Sequence, residues 1–282
     1  MDEKDLEKID ENTPIEEIEV EEKKVKKQGK GSKILDKLIS LIILIVCTVG
    51  LIYSGKQLLN WVKNNVKSND VINQVNDIAG VSDIEEDAAP GAEFGIDFEA
   101  LKAYNPDVVG WIRIPGTGVN YSLVQAEDNS KYLRHSIDLT WNEFGWPFLD
   151  YKNAPDFTDK NTVLYGHNIV SGLMFADVTN IYNGSLGTDV EIDIYRSDYR
   201  LLKYKVFSAY VYDPENYYLT THFANDEKYS TYLNTMISRS VWNFNQDVSV
   251  DDTIITLSTC TSDAKRRIVV HAKLVSNTEM PR

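Results

Sequence analysis

Cysteine is almost missing from this chain: only Cys47 and Cys260 occur in 282 residues. Cys47 lies inside an apolar run, so Cys260 is the only thiol in the remainder and no intrachain disulfide can form there. Histidine is scarce too, with four residues, and no C-x-x-C, H-E-x-x-H or EF-hand spacing is present to hold a metal. A glycine-rich phosphate loop is also lacking, and no cofactor is expected. Positive charge is in the minority, 29 basic against 43 acidic residues for a formal net charge of -14. With no basic stripe interleaved by aromatics, the chain is a poor nucleic-acid ligand, because the phosphate backbone repels it. No internal repeat or low-complexity tract breaks the part expected to fold.

The chain opens on acid. The segment MDEKDLEKIDENTPIEEIEVEE has few large apolar residues and no aromatics. It cannot bury enough surface to repay ordering, so it is expected to be a disordered tail. The sign then switches in KKVKKQGKGSK, ahead of an uninterrupted apolar run, LISLIILIVCTVGLIY, at residues 38–53. That run is slightly short of the roughly 20 residues that cross a bilayer core. Ile34, Leu35 and a snorkelling Lys37 extend it. Lysines on its N-terminal side put the N-terminus in the cytoplasm. No A-x-A-like site follows Tyr53, which favours an anchor over a cleaved signal peptide. The expected organisation is a cytoplasmic tail over 1–37, a transmembrane anchor over 38–53, a stalk or linker with a helix over 54–96, and a catalytic domain over 97–282.

Between residues 56 and 78 the spacing of Leu58, Leu59, Val62, Val66, Val71, Val75 and Ile78 is helical. VSDIEEDAAPGAEFG follows as a linker, punctuated by Pro90, Gly91 and Gly95. DFEALKAYNPDVVG reads as a short helix ended by Asn105-Pro106. Beyond it the chain alternates like a β protein. WIRIP and GVNYSLVQ form a hairpin around Gly116-Thr117-Gly118, and WPFLD, NTVLYG, DVEIDIY, LLKYKVFSAYVY, DTIITLSTC and RIVVHAKLV follow. About eight strands separated by turn signals indicate a mainly β fold, a barrel or sandwich. One clear helix, DEKYSTYLNTMISRS, interrupts them, with Tyr229, Tyr232, Leu233, Met236 and Ile237 on one face.

A lone thiol in an exported domain is a candidate nucleophile, and its neighbours strengthen that reading. If TIITLSTC and RIVVHAKLV form an antiparallel hairpin, Cys260 and Arg267 are its flanking pair and point to the same face, with Cβ atoms roughly 5 Å apart. A guanidinium there favours the thiolate and can stabilise an oxyanion. Arg266 points the other way in that register. A proton carrier is also needed. His271 shares the face of Arg267, but four residues at about 3.3 Å each put it roughly 13 Å away. His167, directly after an apolar strand and a glycine, leads the remaining candidates, with His222 and His135 in loops behind it. Ser258 shares the Cys260 face by alternation. Thr259, Tyr217, Tyr218 and Leu219 are candidates for contact with substrate, although tyrosines in such a connection also serve as amphipathic cover. Asp263 reads best as a turn cap.

NTVLYGHN together with TLSTC and R-I-V-V-H-A-K-L resembles the sortase family, class B in particular, and the match extends through NPDVVGWIRIPGT, YLRHSID and FGWPFLD. It covers residues 97–275. The resemblance implies an eight-stranded sortase-type β-barrel with peripheral helices, Cys260 as nucleophile, His167 as the family histidine and Arg267 as the family arginine. It implies a cysteine transpeptidase on the outer face of a Gram-positive membrane. Such an enzyme cleaves a sorting motif in secreted surface proteins, holds the product as a thioester, and passes it to an amine of peptidoglycan or its precursor. A pilin polymerase that uses a lysine amine is the alternative within the family. A silent peptide-binding scaffold and an unrelated cell-wall cysteine peptidase are the alternatives outside it.

Overall fold

A computed structural model describes residues 30–81, 95–213, 216–261 and 265–280. The acidic tail, most of the expected linker and Asp263 lie outside the described residues. The chain divides into two compact units, Met1–Gln57 and Leu58–Arg282. In the first, the described residues belong to helix α1 (Lys30–Ala79), whose apolar side chains here are exposed, as at Ile42 and Leu44. The segment Lys33–Ala79 holds an 18-residue stretch that is long and apolar enough to cross a membrane by length and composition. The apolar run and the following helical pattern are one uninterrupted helix.

In the second unit, the end of α1 packs on the barrel through Val71, Val75 and Ala79, all buried. Ser68, also buried, accepts a hydrogen bond from Asn142 Nδ2 at 2.8 Å. Leu58, Leu59, Val62 and Val66, part of the same helical pattern, are exposed. The helical period alone could not show where along the helix the partner surface begins.

Helix α2 (Phe98–Tyr104) starts on the side chain of Asp97 and stops at extended Asn105, because proline at 106 disfavours helical geometry in the residue before it. Eight strands follow: β1 (Val108–Arg113), β2 (Asn120–Val124), β3 (Phe148–Leu149), β4 (Asn161–Tyr165), β5 (Glu191–Arg196), β6 (Arg200–Tyr212), β7 (Ile254–Cys260) and β8 (Arg267–Glu279). They close into a barrel in the order β1-β2-β3-β4-β7-β8-β6-β5; the alternation and turn signals leave barrel and sandwich open, and the family resemblance implies the barrel. The β1–β2 hairpin is in place, with Arg113 opposite Asn120.

Alternation along the strands sorts two apolar clusters. Ile255, Leu257, Ile268, Val270 and Ala272 join the barrel core with Trp111 and Ile112. Ile254, Val269, Phe207 and Tyr210 face the other way and pack against a later helix, α4 (Asp226–Arg239), through Tyr229, Tyr232, Leu233 and Met236; the short α3 (Val178–Tyr182) precedes β5. Asn225 caps α4 by accepting from the Lys228 amide at 3.0 Å. Asp226 and Glu227 in the first turn and Arg239 in the last complement the helix dipole. Ile237 is 40% exposed, so it lies off the buried face assigned to it from sequence. The apolar stripe is narrower than the spacing suggested.

Two pairings position the chemistry. Strands β4 and β7 are parallel, with Tyr165 opposite Ser258, so their C-terminal ends emerge side by side. Strands β7 and β8 are antiparallel, with Cys260 opposite Arg267. The end of β4, the end of β7 and the start of β8 therefore meet at one rim of the barrel.

Candidate active site

The chain leaves β4 through Gly166, His167 and Asn168, next to the end of β7. Gly166 donates its amide to the Ser258 carbonyl at 3.3 Å. A Cβ at this glycine would collide with the Phe175 ring, so the strand can turn toward β7 only without a side chain here. The His167 carbonyl accepts from the Phe175 amide at 2.8 Å. Asn168 Nδ2 donates to the Cys260 carbonyl at 3.0 Å and ties the two strand ends together.

His167, Cys260 and Arg267 are all half-buried and line one cavity of about 450 Å³. Its apolar walls include Leu133, Phe148, Tyr218 and Leu219, and Asn129 and Asn216 add polar groups. His167 Nε2 lies 3.0 Å from the Leu133 carbonyl. A carbonyl only accepts, so Nε2 carries the proton and Nδ1 is left as the basic nitrogen. Leu133 ends a 3₁₀ turn, Lys131–Leu133. The buried Tyr132 pins that turn by donating to Asp107 Oδ2 at 2.7 Å.

Burial holds the His167 imidazole below its ordinary value. The Leu133 hydrogen bond opposes this, and the charges of Arg134 and Arg267 add to it. This direction favours the neutral ring. Arg267 Nη1 donates to the Arg266 carbonyl at 3.3 Å. Arg266 itself is exposed, as the register requires. Its backbone closes the loop, with the Thr261 amide donating to the Arg266 carbonyl at 3.0 Å.

The other sequence candidates separate clearly. Ser258 lines the cavity, its Oγ 3.1 Å from the Tyr218 hydroxyl. Thr259 also borders it, but alternation places its side chain with Leu257 and Ile255 on the barrel-core side. Its Oγ1 is buried there with no hydrogen-bond partner among the described residues. Tyr218 and Leu219 line the cavity. Tyr217 is outside the lining, 40% exposed, with its ring 5.6 Å from that of Tyr232 and Arg239 within 5.8 Å of it.

His135 binds the Lys131 carbonyl through Nδ1 at 2.9 Å and meets Trp141 edge-on. His222 is exposed beside Asp159 at 3.7 Å. His271 is fully buried under α4, held by Thr256 and Tyr210. Of the four histidines, only His167 reaches the cavity that holds Cys260.

Sequence reasoning missed Gly166, Asn168, the Leu133 carbonyl, and Asn129, Tyr165 and Phe148. For Gly166 and Asn168 a signal existed, since both flank the histidine in YGHN. A backbone carbonyl in a polar loop has no residue-type signature at all.

Comparison with known proteins identifies the family. The Sortase domain family model matches residues 112–275. Sortase B of Listeria monocytogenes is 35% identical over 179 residues, covering 62% of this chain and 73% of that protein. A Staphylococcus aureus sortase B–substrate complex has a TM-score of 0.58 at 34% identity, covering 64% of this chain and 84% of the other. A sortase B complexed with triglycine also aligns with a TM-score of 0.58 at 34% identity, over 64% of this chain and 85% of that one.

Proposed function

The chain belongs to the sortase family, within class B, and is a cysteine transpeptidase, and on that basis we propose that Cys260, His167 and Arg267 transfer a secreted protein's sorting peptide to a cell-wall amine. One observation carries the residue assignment. Cys260 and Arg267 are directly opposed across β7 and β8, and His167 emerges from the strand parallel to β7 into the same cavity.

In the first half-reaction, neutral His167 takes the thiol proton at Nδ1, and the sulfur of Cys260 attacks the carbonyl of the scissile peptide bond. Negative charge gathers on the carbonyl oxygen, where the Arg267 guanidinium offsets it. The C–N bond breaks as the imidazolium returns its proton to the leaving amine, and a thioester remains. In the second half-reaction His167 takes a proton from the incoming amine. That nitrogen attacks the thioester, the C–S bond breaks, and Cys260 leaves as thiolate to be reprotonated.

The donor is the sorting motif of an exported surface protein, and the acceptor is an amine of peptidoglycan or its precursor. The complexes of related sortase B proteins with substrate and with triglycine support a peptide donor and an amine acceptor. The apolar stretch of α1 serves as a single-pass anchor. Lysines on its N-terminal side favour a cytoplasmic N-terminus and an extracellular catalytic domain.

The test is Cys260→Ala, assayed with an internally quenched donor peptide and triglycine. No transpeptidation product and no thioester adduct are expected. Turnover by this variant would remove Cys260 from its role.

A further inference from the structure

A second cavity, of about 470 Å³, shares Asn129, Tyr165, Asn216 and Leu219 with the first. None of Cys260, His167 and Arg267 lines it, so it adjoins the chemistry without containing it. At the shared wall stands one carboxyl group, that of Asp150, 4% exposed. Its Oδ2 accepts from Asn129 Nδ2 at 2.9 Å and from the Tyr165 hydroxyl at 2.8 Å. Its Oδ1 accepts from the Lys152 amide at 2.9 Å. The backbone of Asp150 is fixed as well, donating to the Val163 carbonyl at 2.9 Å and accepting from Gln125 Nε2 at 2.9 Å.

This arrangement decides which way the neighbouring groups are polarised. Asn129 has its Oδ1 occupied by the Tyr151 amide at 3.0 Å and one N–H occupied by Asp150, so its uncommitted hydrogen is a donor. Tyr165 has given its only hydrogen to Asp150, so its oxygen offers only lone pairs. The wall shared by the two cavities therefore presents a donor from Asn129 and an acceptor from Tyr165. An acceptor-only carboxylate is what enforces this pattern. A neutral amide in its place could not accept from both partners and from Lys152 at once.

We propose that Asp150 is a positioning residue that sets the hydrogen-bonding polarity of this wall, and through it the binding of the donor peptide's amides. The inference rests on the transpeptidase reading. It adds a residue that touches no reacting atom and acts through Asn129 and Tyr165.

The experiment uses the full chain with the best-cleaved peptide of an internally quenched panel, triglycine as acceptor, and a thiol-directed sulfonate to label Cys260. Asp150→Asn should raise KM about tenfold, as loss of aligned hydrogen bonds does, while kcat and the labelling rate of Cys260 stay near wild type. The double variant Asn129→Asp with Asp150→Asn separates positioning from packing. It restores a matched pair with the same net charge, but turns the Asn129 position into an acceptor and Tyr165 into a donor. Its melting temperature should recover while KM stays raised.

Recovery of KM along with melting temperature would reduce Asp150 to a packing role, and an unchanged KM in Asp150→Asn would overturn the proposal. If Asp150→Asn fails to fold, Tyr165→Phe decides. It removes the acceptor and leaves the carboxylate, and KM should rise with labelling unchanged; a wild-type KM there overturns the proposal. The transpeptidase reading falls by a different result, turnover by Cys260→Ala.

Discussion

His167 and His271 sit on strand ends or strands that are near neighbours in the barrel, yet they do opposite work. Burial drives both rings toward the neutral form; it lowers His167 and pushes His271 down to about 3, with Arg239 adding to the latter. They differ in what each ring has left over. Both nitrogens of His271 are engaged, Nδ1 with Thr256 Oγ1 at 2.8 Å and Nε2 with the Tyr210 hydroxyl at 3.0 Å. Thr256 passes its own hydrogen to Asn161 at 2.7 Å. Asn161 in turn donates to the Thr220 carbonyl at 2.9 Å. That network is sealed under α4 and holds the turn that carries Tyr218. At His167, Nε2 meets the Leu133 carbonyl, Nδ1 has no hydrogen bond among the described residues, and the residue lines the cavity that also holds Cys260 and Arg267. A buried histidine with every valence matched belongs to the scaffold. A half-buried one with a basic nitrogen uncommitted is where proton transfer can occur.

This contrast between scaffold and chemistry meets its hardest test at the guanidinium. Arg267→Ala should lower kcat/KM by about 10² to 10³, the usual cost of removing one group that stabilises a developing oxyanion, with melting temperature little changed. A loss within about twofold in steady-state kinetics would place Arg267 with the scaffold instead.

His271 should show itself only in stability. Its folded-state value lies below its unfolded one, so the unfolded chain binds a proton that the folded chain refuses between pH 6.5 and about 3. Stability therefore falls as pH falls through that window, by about 1.4 kcal/mol per pH unit from this residue. Urea unfolding of His271→Asn, followed over the same range, should be less steep by one proton. An identical slope would mean that the ring is not held neutral.

The smallest effect is expected at His167. Because its value is lowered, the acid limb of the kcat/KM profile should fall below pH 6.5, and Arg134→Ala should move that limb slightly upward. A limb at or above 6.5 would contradict the neutral resting ring.

Much of this was legible in the residues. The opposition of Cys260 and Arg267 follows from strand alternation and a short loop, and the register shows that pairing. The exclusion of His271 by distance along the strand also agrees with its place under α4. Eight strands and the helix before β7 follow from apolar period and turn signals. One reading overreached. Ile237 sits at helical spacing with the buried residues of α4 but is 40% exposed, and spacing does not tell whether a partner surface is present. The polar wall was illegible in sequence. Asn129, Asp150 and Tyr165 are far apart along the chain, and each alone looks like ordinary loop or strand chemistry.

The local elements, the single available thiol and its guanidinium neighbour were already settled by residue order, because they depend on periodicity and on pairing between strands adjacent in the chain. Which histidine shares a cavity with the thiol was left to the folded arrangement, since β4 and β7 lie some ninety residues apart and join by a parallel pairing that no local pattern encodes. The polarity of the cavity wall was left to it as well. Hydrogen-bond direction is a property of three side chains brought together in space, and none of them carries that information alone.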